Sequence, residues 1–332
     1  MDLHKLHDSL PSFDELPSSS NLPKGCTWGL WDQAGQKDEL GTLNLLTPKV
    51  VRNAVQEVTL GISVSLNLPL SQPLVPVFKR KPLEHNIIDN SSFSPSQSFD
   101  DTVFLNTQAS SQWDGLRHVV HEKTGRLYND VTKEDITGIN RTARLGIDGW
   151  HRRGGIVARG VLVDYVAYAQ RNDITYNPTE WHEITVDDLE RAASDQGVTF
   201  RQGDILIVRS GLVKWQLEHS NTVEAEMWAQ DPKKACVGVS ATEDTVSWIW
   251  NRHFAAVAGD ALAWESVPYP VDRPSLHQHL IPMFGMPIGE LWDLEELAST
   301  CARLGRYSFL LTSVPLRVPG GIASPPNAVA VF

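Results

Sequence analysis

An aspartate and a histidine four residues apart, Asp114 and His118, close the segment Gln108-Ala-Ser-Ser-Gln112-Trp113-Asp114-Gly-Leu-Arg117-His118. A carboxylate and an imidazole brought together in a cleft can bind a metal, or can work as orienter and general base near neutral pH. The same spacing also describes a loop pair that caps a turn or sits on the surface. A second pair, His277 and Glu290, stands thirteen residues apart late in the chain. Asp293 and Glu296 have capping-box spacing just beyond it, which puts Glu290 near the positive end of a helix and favours its ionised form. Read singly, Glu290 supports that helix start and His277 is a core histidine.

Taken together these segments resemble the cyclase-like hydrolases, the superfamily that includes kynurenine formamidases. The family signature runs His-x-x-x-His-x-Asp-x-x-x-His, in which the first two histidines and the aspartate hold a divalent metal and the last histidine works in catalysis. Asp114 and His118 match its aspartate and last histidine, while Gln108 and Gln112 stand where the two metal-binding histidines would be. His277 and Glu290 are similar to the family's late histidine–glutamate block, and further similar stretches fall in order at 31–48, 161–166, 203–211 and 309–321. The resemblance covers most of the chain from about Trp28 onward. It implies a single α/β domain around a mixed sheet or barrel of the swivelling β/α/β kind, with a site at a loop-closed mouth, in a homodimer or homotetramer. It also implies Asp114, His118 and Glu290 as catalytic residues, and Asp114, His277 and Glu290 as the metal set.

The two glutamines change what metal that set can hold. An amide oxygen is a neutral, hard ligand, acceptable to manganese or magnesium and poor for zinc. Three states stay open: a weak oxygen-rich site, a site kept by Asp114, His277 and Glu290 alone, or no metal. In the metal-free state His118 and Asp114 still make an acid–base pair. Gln108 and Gln112 are then candidates to bind a substrate carbonyl, with Trp113 and Arg117 flanking them as further substrate-binding candidates.

The leading functional expectation is hydrolysis of an amide, lactam or lactone in a small aromatic molecule. A non-hydrolytic cyclase, dehydratase or isomerase of secondary metabolism is the first alternative, and an inactive small-molecule-binding homologue the second. Other signals are bland: Ser110 and Ser111 lack a Gly-x-Ser-x-Gly elbow, and Gly154-Gly155 lacks the rest of a dinucleotide fingerprint.

The elements around these residues alternate between strand and helix, which argues for one α/β domain. Residues 1–25 are polar and Pro/Ser-broken and read as an arm over the body or a neighbour, leaving 26–332 as the domain. Residues 62–70 alternate as a strand, residues 80–102 read as a long polar loop, and Thr185 with Asp188 has capping-box spacing before a helix ended by Gly197. A formal charge of −11 argues against nucleic acid or an anionic membrane as partner. No apolar stretch approaches a membrane span, no signal peptide is read, and three scattered cysteines fit buried free thiols in a reducing, cytoplasmic setting. The eleven tryptophans make an aromatic-lined pocket plausible.

Overall fold

The runs Ile205-Leu-Ile-Val-Arg209 and Ala256-Val-Ala-Gly259 are apolar without alternation, the pattern of strands covered on both faces. They lie at the centre of a mixed sheet in the computed structural model, which describes residues 10–17, 22–93, 96–270, 273 and 275–332. The nine strands are β1 (Ser63–Ser65), β2 (Gln112–Asp114), β3 (Ile156–Asp164), β4 (Ile205–Arg209), β5 (Ala256–Gly259), β6 (Ile288–Glu290), β7 (Ser308–Ser313), β8 (Ala323–Ser324) and β9 (Ala328–Val331). Their spatial order is β1-β9-β7-β3-β4-β5-β6-β2-β8, so the sheet is open at two edge strands and is not a closed barrel.

The centre, β3-β4-β5-β6, is parallel, and each flank is antiparallel. Parallel neighbours need crossovers, and helices Val186–Asp195 and Glu243–Asn251 lie in two of them. Thr185 and Asp188 form the expected reciprocal cap of the first, and Gly197 follows it at φ 67°. Tryptophans 113, 150, 250, 264 and 292 are fully buried in the core, and all three cysteines are buried free thiols.

Three expectations are corrected. Residues 80–102 are not a plain loop: Glu84–Asp89 pairs antiparallel with Phe99–Phe104 in a hairpin exposed along both strands. Its polar composition hid it, because a strand with no buried face carries no apolar alternation. The capping box at Asp293 does not form. Leu294 is the N-cap of helix Glu295–Leu304, so the helix starts one residue too late for Asp293 and Glu296 to cap it. The strand at 62–70 shortens to β1, although Val64, Leu66 and Leu68 are buried as its alternation required.

Of the N-terminal arm, residues 1–9 and 18–21 lie outside the described residues. The rest packs on the chain's own helix: Phe13 N donates to Asn251 Oδ1 at 2.8 Å and Trp250 Nε1 to the Pro11 carbonyl at 2.8 Å. No helix of the described residues is long and apolar enough to cross a membrane.

Candidate active site

The site is made by strand register. β2 and β6 are antiparallel neighbours, with Gln112 opposite Glu290, Trp113 opposite Gly289 and Asp114 opposite Ile288. Directly opposed side chains share a face and successive ones alternate. Gln112, Asp114 and Glu290 therefore point one way, and Trp113 points the other. Gly289 is required behind them, since a Cβ there would sit 2.6 Å from that of Ala258 and 2.9 Å from the Trp292 ring.

After Asp114 the chain turns back at once. Gly115 donates to the Ile322 carbonyl at 3.0 Å, and a Cβ at this glycine would lie 2.6 Å from that oxygen. The turn brings His118 Nε2 to 3.4 Å from Asp114 Oδ2. His277 arrives on the four-residue helix Leu276–His279, with Nε2 3.8 Å from the same Oδ2 and 3.0 Å from Glu290 Oε1. Residues far apart in the sequence thus meet at Asp114.

Glu265, which the sequence reading passes over, fixes the second histidine. Its buried carboxylate accepts from Leu276 N at 2.6 Å and His277 N at 3.1 Å, and lies 2.8 Å from His277 Nδ1. The one available sequence signal was a glutamate directly after the apolar stretch Ala261-Leu-Ala-Trp264.

Burial and charge set the protonation states. Burial lowers the His118 pKa from 6.5, against the opposing pull of Asp114, so this imidazole is neutral at pH 7. Burial also works against charge on His277, but Asp114, Glu265 and Glu290 together raise its pKa well above 6.5. Burial and the Asp114 charge push Glu290 up to about 7. This corrects the expectation of an ionised Glu290 at a helix start: it ends a strand inside the protein. Asp114 resists its own burial and stays below the ordinary range, chiefly through His118 and His277.

The fit to a metal rests on one atom. Asp114 Oδ2 is buried without a hydrogen bond and faces both Nε2 atoms, and Asp114, His118 and His277 offer ligand atoms all within 4.8 Å of one another. With His277 Nδ1 held by a carboxylate, its Nε2 is oriented as metal-binding imidazoles are. The residues fit a divalent cation; without one, a proton on His277 balances the same negative cluster.

The glutamines do unequal work. Gln108, half-buried, donates Nε2 to Asp114 Oδ1 at 2.8 Å and lies 3.0 Å from His118 Nδ1. Gln112 is fully buried and donates to Glu290, which corrects its assignment as a substrate contact: it braces the glutamate. Trp113 is corrected too. It lies on the opposite face, with Nε1 on Ser313 Oγ at 2.9 Å and the Trp292 ring 4.9 Å away. Arg117 donates to the carbonyls of Thr142 and Gly320, so its guanidinium ties two loops together and does not reach the cluster. Ser110 and Ser111 bond to the Pro69 and Leu291 carbonyls, in keeping with their bland reading.

The family model described as "Putative cyclase" matches residues 64–266. A solved structure described as a novel cyclase is 34% identical, covering 92% of this chain and 99% of its own, with TM-score 0.79. The chain belongs to the cyclase family. At lower identity, the chain has the fold of an isatin hydrolase bound to the product analogue thioisatinate (14% identity, 84% of this chain and 94% of that one, TM-score 0.56). It likewise has that of isatin hydrolase A from Labrenzia aggregata bound to benzyl benzoate (14%, 87% and 98%, TM-score 0.56). No protein among curated sequences matches. A second residue missed in the sequence, Arg80, donates Nη1 to the Gln108 carbonyl at 2.6 Å, and its charge acts on His118 and Glu290.

Proposed function

We propose that this member of the cyclase family hydrolyses an amide, lactam or lactone bond in a small aromatic molecule, with His118 as general acid–base and Asp114 as its partner. The observation that carries the reading is the gradient of access within the cluster. The His118 side chain is 22% exposed, against 14% for His277, 5% for Glu290 and 1% for Asp114. His118 is thus the neutral base that a substrate and its water reach, and the rest lies behind it.

In this reading His118 takes the proton of the attacking water and returns it to the leaving nitrogen or oxygen. Gln108 and Asp114 hold the ring in place. Glu265 holds His277, and Gln112 holds Glu290, so the positive end of the cluster is fixed before substrate arrives. A divalent cation held by Asp114 and His277, with Glu290 as the third ligand that the family resemblance implies, would be manganese or magnesium by the hardness of the donors and would stabilise negative charge on the carbonyl oxygen. In the metal-free state, protonated His277 supplies positive charge in its stead. The isatin hydrolases that share the fold support an aromatic substrate, since isatin is itself an aromatic lactam. The replacement of two expected histidines by Gln108 and Gln112 favours a second reading, a non-hydrolytic cyclase, dehydratase or isomerase.

A panel of aromatic amides, lactams and lactones, assayed across pH, tests the proposal. The base must be unprotonated to act, and the His118 pKa lies below 6.5. For a cleaved member, kcat/KM is therefore level around neutrality and falls as pH drops through that lowered pKa. A fall that begins above pH 7 would assign the base to another group.

A further inference from the structure

Arg80 is a cation beside this site that forms no ion pair with a carboxylate of the described residues. An arginine presents five N–H donors in a rigid fork that matches a carboxylate. Here one bond, from Nη1 to the Gln108 carbonyl, is its hydrogen bond to the described residues, and the side chain is half-buried. That bond anchors it to the residue whose amide touches both Asp114 and His118.

The backbone before it is unusual. Phe78 and Lys79 both have left-handed torsions, φ 58° and 56°, which non-glycine residues rarely adopt and which a surrounding structure must hold in place. The turn leaves the Phe78 ring 58% exposed beside the guanidinium, with Arg80 5.2 Å and Lys234 5.1 Å from its centroid. Lys79, Arg80 and Lys81 form a basic run in a chain of net charge −11, and of the three Lys81 is paired, with Glu84 at 2.5 Å.

Resting on the hydrolytic reading of the same site, we infer that Arg80 and Phe78 form a subsite for aromatic acids. The guanidinium fork binds a carboxylate on the substrate and the exposed ring receives its aromatic face, while the scissile bond lies toward His118. The substrate class narrows to aromatic carboxylates that carry an amide, lactam or lactone.

Titration calorimetry with 2-aminobenzoate and its uncharged counterpart 2-aminobenzamide tests the subsite without turnover. Wild type is expected to bind the carboxylate about tenfold or more tightly than the amide, the scale of a charge-assisted fork. Arg80→Gln should abolish that preference while still binding the amide, and Arg80→Lys, which keeps the charge but not the fork, should retain part of it. Should Arg80→Gln fail to fold, the lysine variant alone decides. No preference in wild type, or full preference in either variant, overturns the subsite. An Arg80-dependent preference in a protein that cleaves no amide, lactam or lactone upholds the subsite and removes the hydrolytic reading alone. Cleavage of aromatic lactams with KM unchanged in Arg80→Gln for carboxylate-bearing members as well as neutral ones does the reverse.

Discussion

Replacing His118 with glutamine lowers turnover on a cleaved substrate by about 100-fold or more while the protein stays folded, the usual scale for a lost acid–base group. That is about 2.7 kcal/mol of barrier at 1.36 kcal/mol per tenfold change. The size follows from position. His118 is the exposed end of the cluster, 3.4 Å from a carboxylate that is itself sealed inside the protein. Glutamine keeps a polar group near Gln108 but cannot cycle a proton near neutral pH. The stability cost is small, because the side chain is partly open to solvent and contributes little packing. Thermal unfolding and steady-state kinetics on the same preparation check both halves. Unchanged turnover would remove His118 from the mechanism, and a collapsed melting transition would make it a structural residue.

The second large effect concerns zinc. Protein purified without a chelator or a His-tag carries no stoichiometric zinc, and its activity survives EDTA or returns with manganese or magnesium. The structure adds a reason to the absence of two histidines. Gln108 and Gln112 both turn their N–H groups toward carboxylates, those of Asp114 and Glu290, so neither offers its oxygen to that partner. What remains around Asp114 is carboxylate with one well-held imidazole, His277, if His118 is kept free as base. The double variant Gln108→His, Gln112→His supplies two imidazoles beside Asp114 and raises zinc affinity by about 100-fold or more. Activity need not rise with it, because Gln112 braces Glu290 and Gln108 steadies His118. Metal analysis and competition with a chromophoric chelator measure both. One equivalent of zinc in wild type, with His277 Nε2 at about 2.1 Å from it, would return the site to zinc chemistry.

Much of the site was legible because four chemistry-bearing residues kept the spacings of a known signature. Asp114 with His118 and His277 with Glu290 were paired in sequence, and the fold joins the pairs by laying β2 against β6. What the sequence hid was register and second partners. Gln112 and Trp113 looked alike as neighbours of Asp114, yet strand alternation sends one under Glu290 and the other into the tryptophan core. That alternation could have been read from three residues, had the strand itself been recognised. Arg117 could not be separated from a substrate contact until its two carbonyl partners, distant in sequence, were in place. Glu265 and Arg80 carried no spacing signal at all. Each is defined by a contact across the fold, with His277 and with the Gln108 carbonyl. The hairpin Glu84–Asp89 and Phe99–Phe104 escaped for the opposite reason, since strands exposed on both faces leave no periodic trace.

Hydrolysis itself is tested most directly by running the reaction in water enriched in oxygen-18. A cleaved aromatic amide, lactam or lactone is expected to give a product carboxylate that gains one labelled oxygen per turnover, with the rate of incorporation falling with His118→Gln. Product formed at the wild-type rate with no label from water would contradict the account and establish the non-hydrolytic reading in its place.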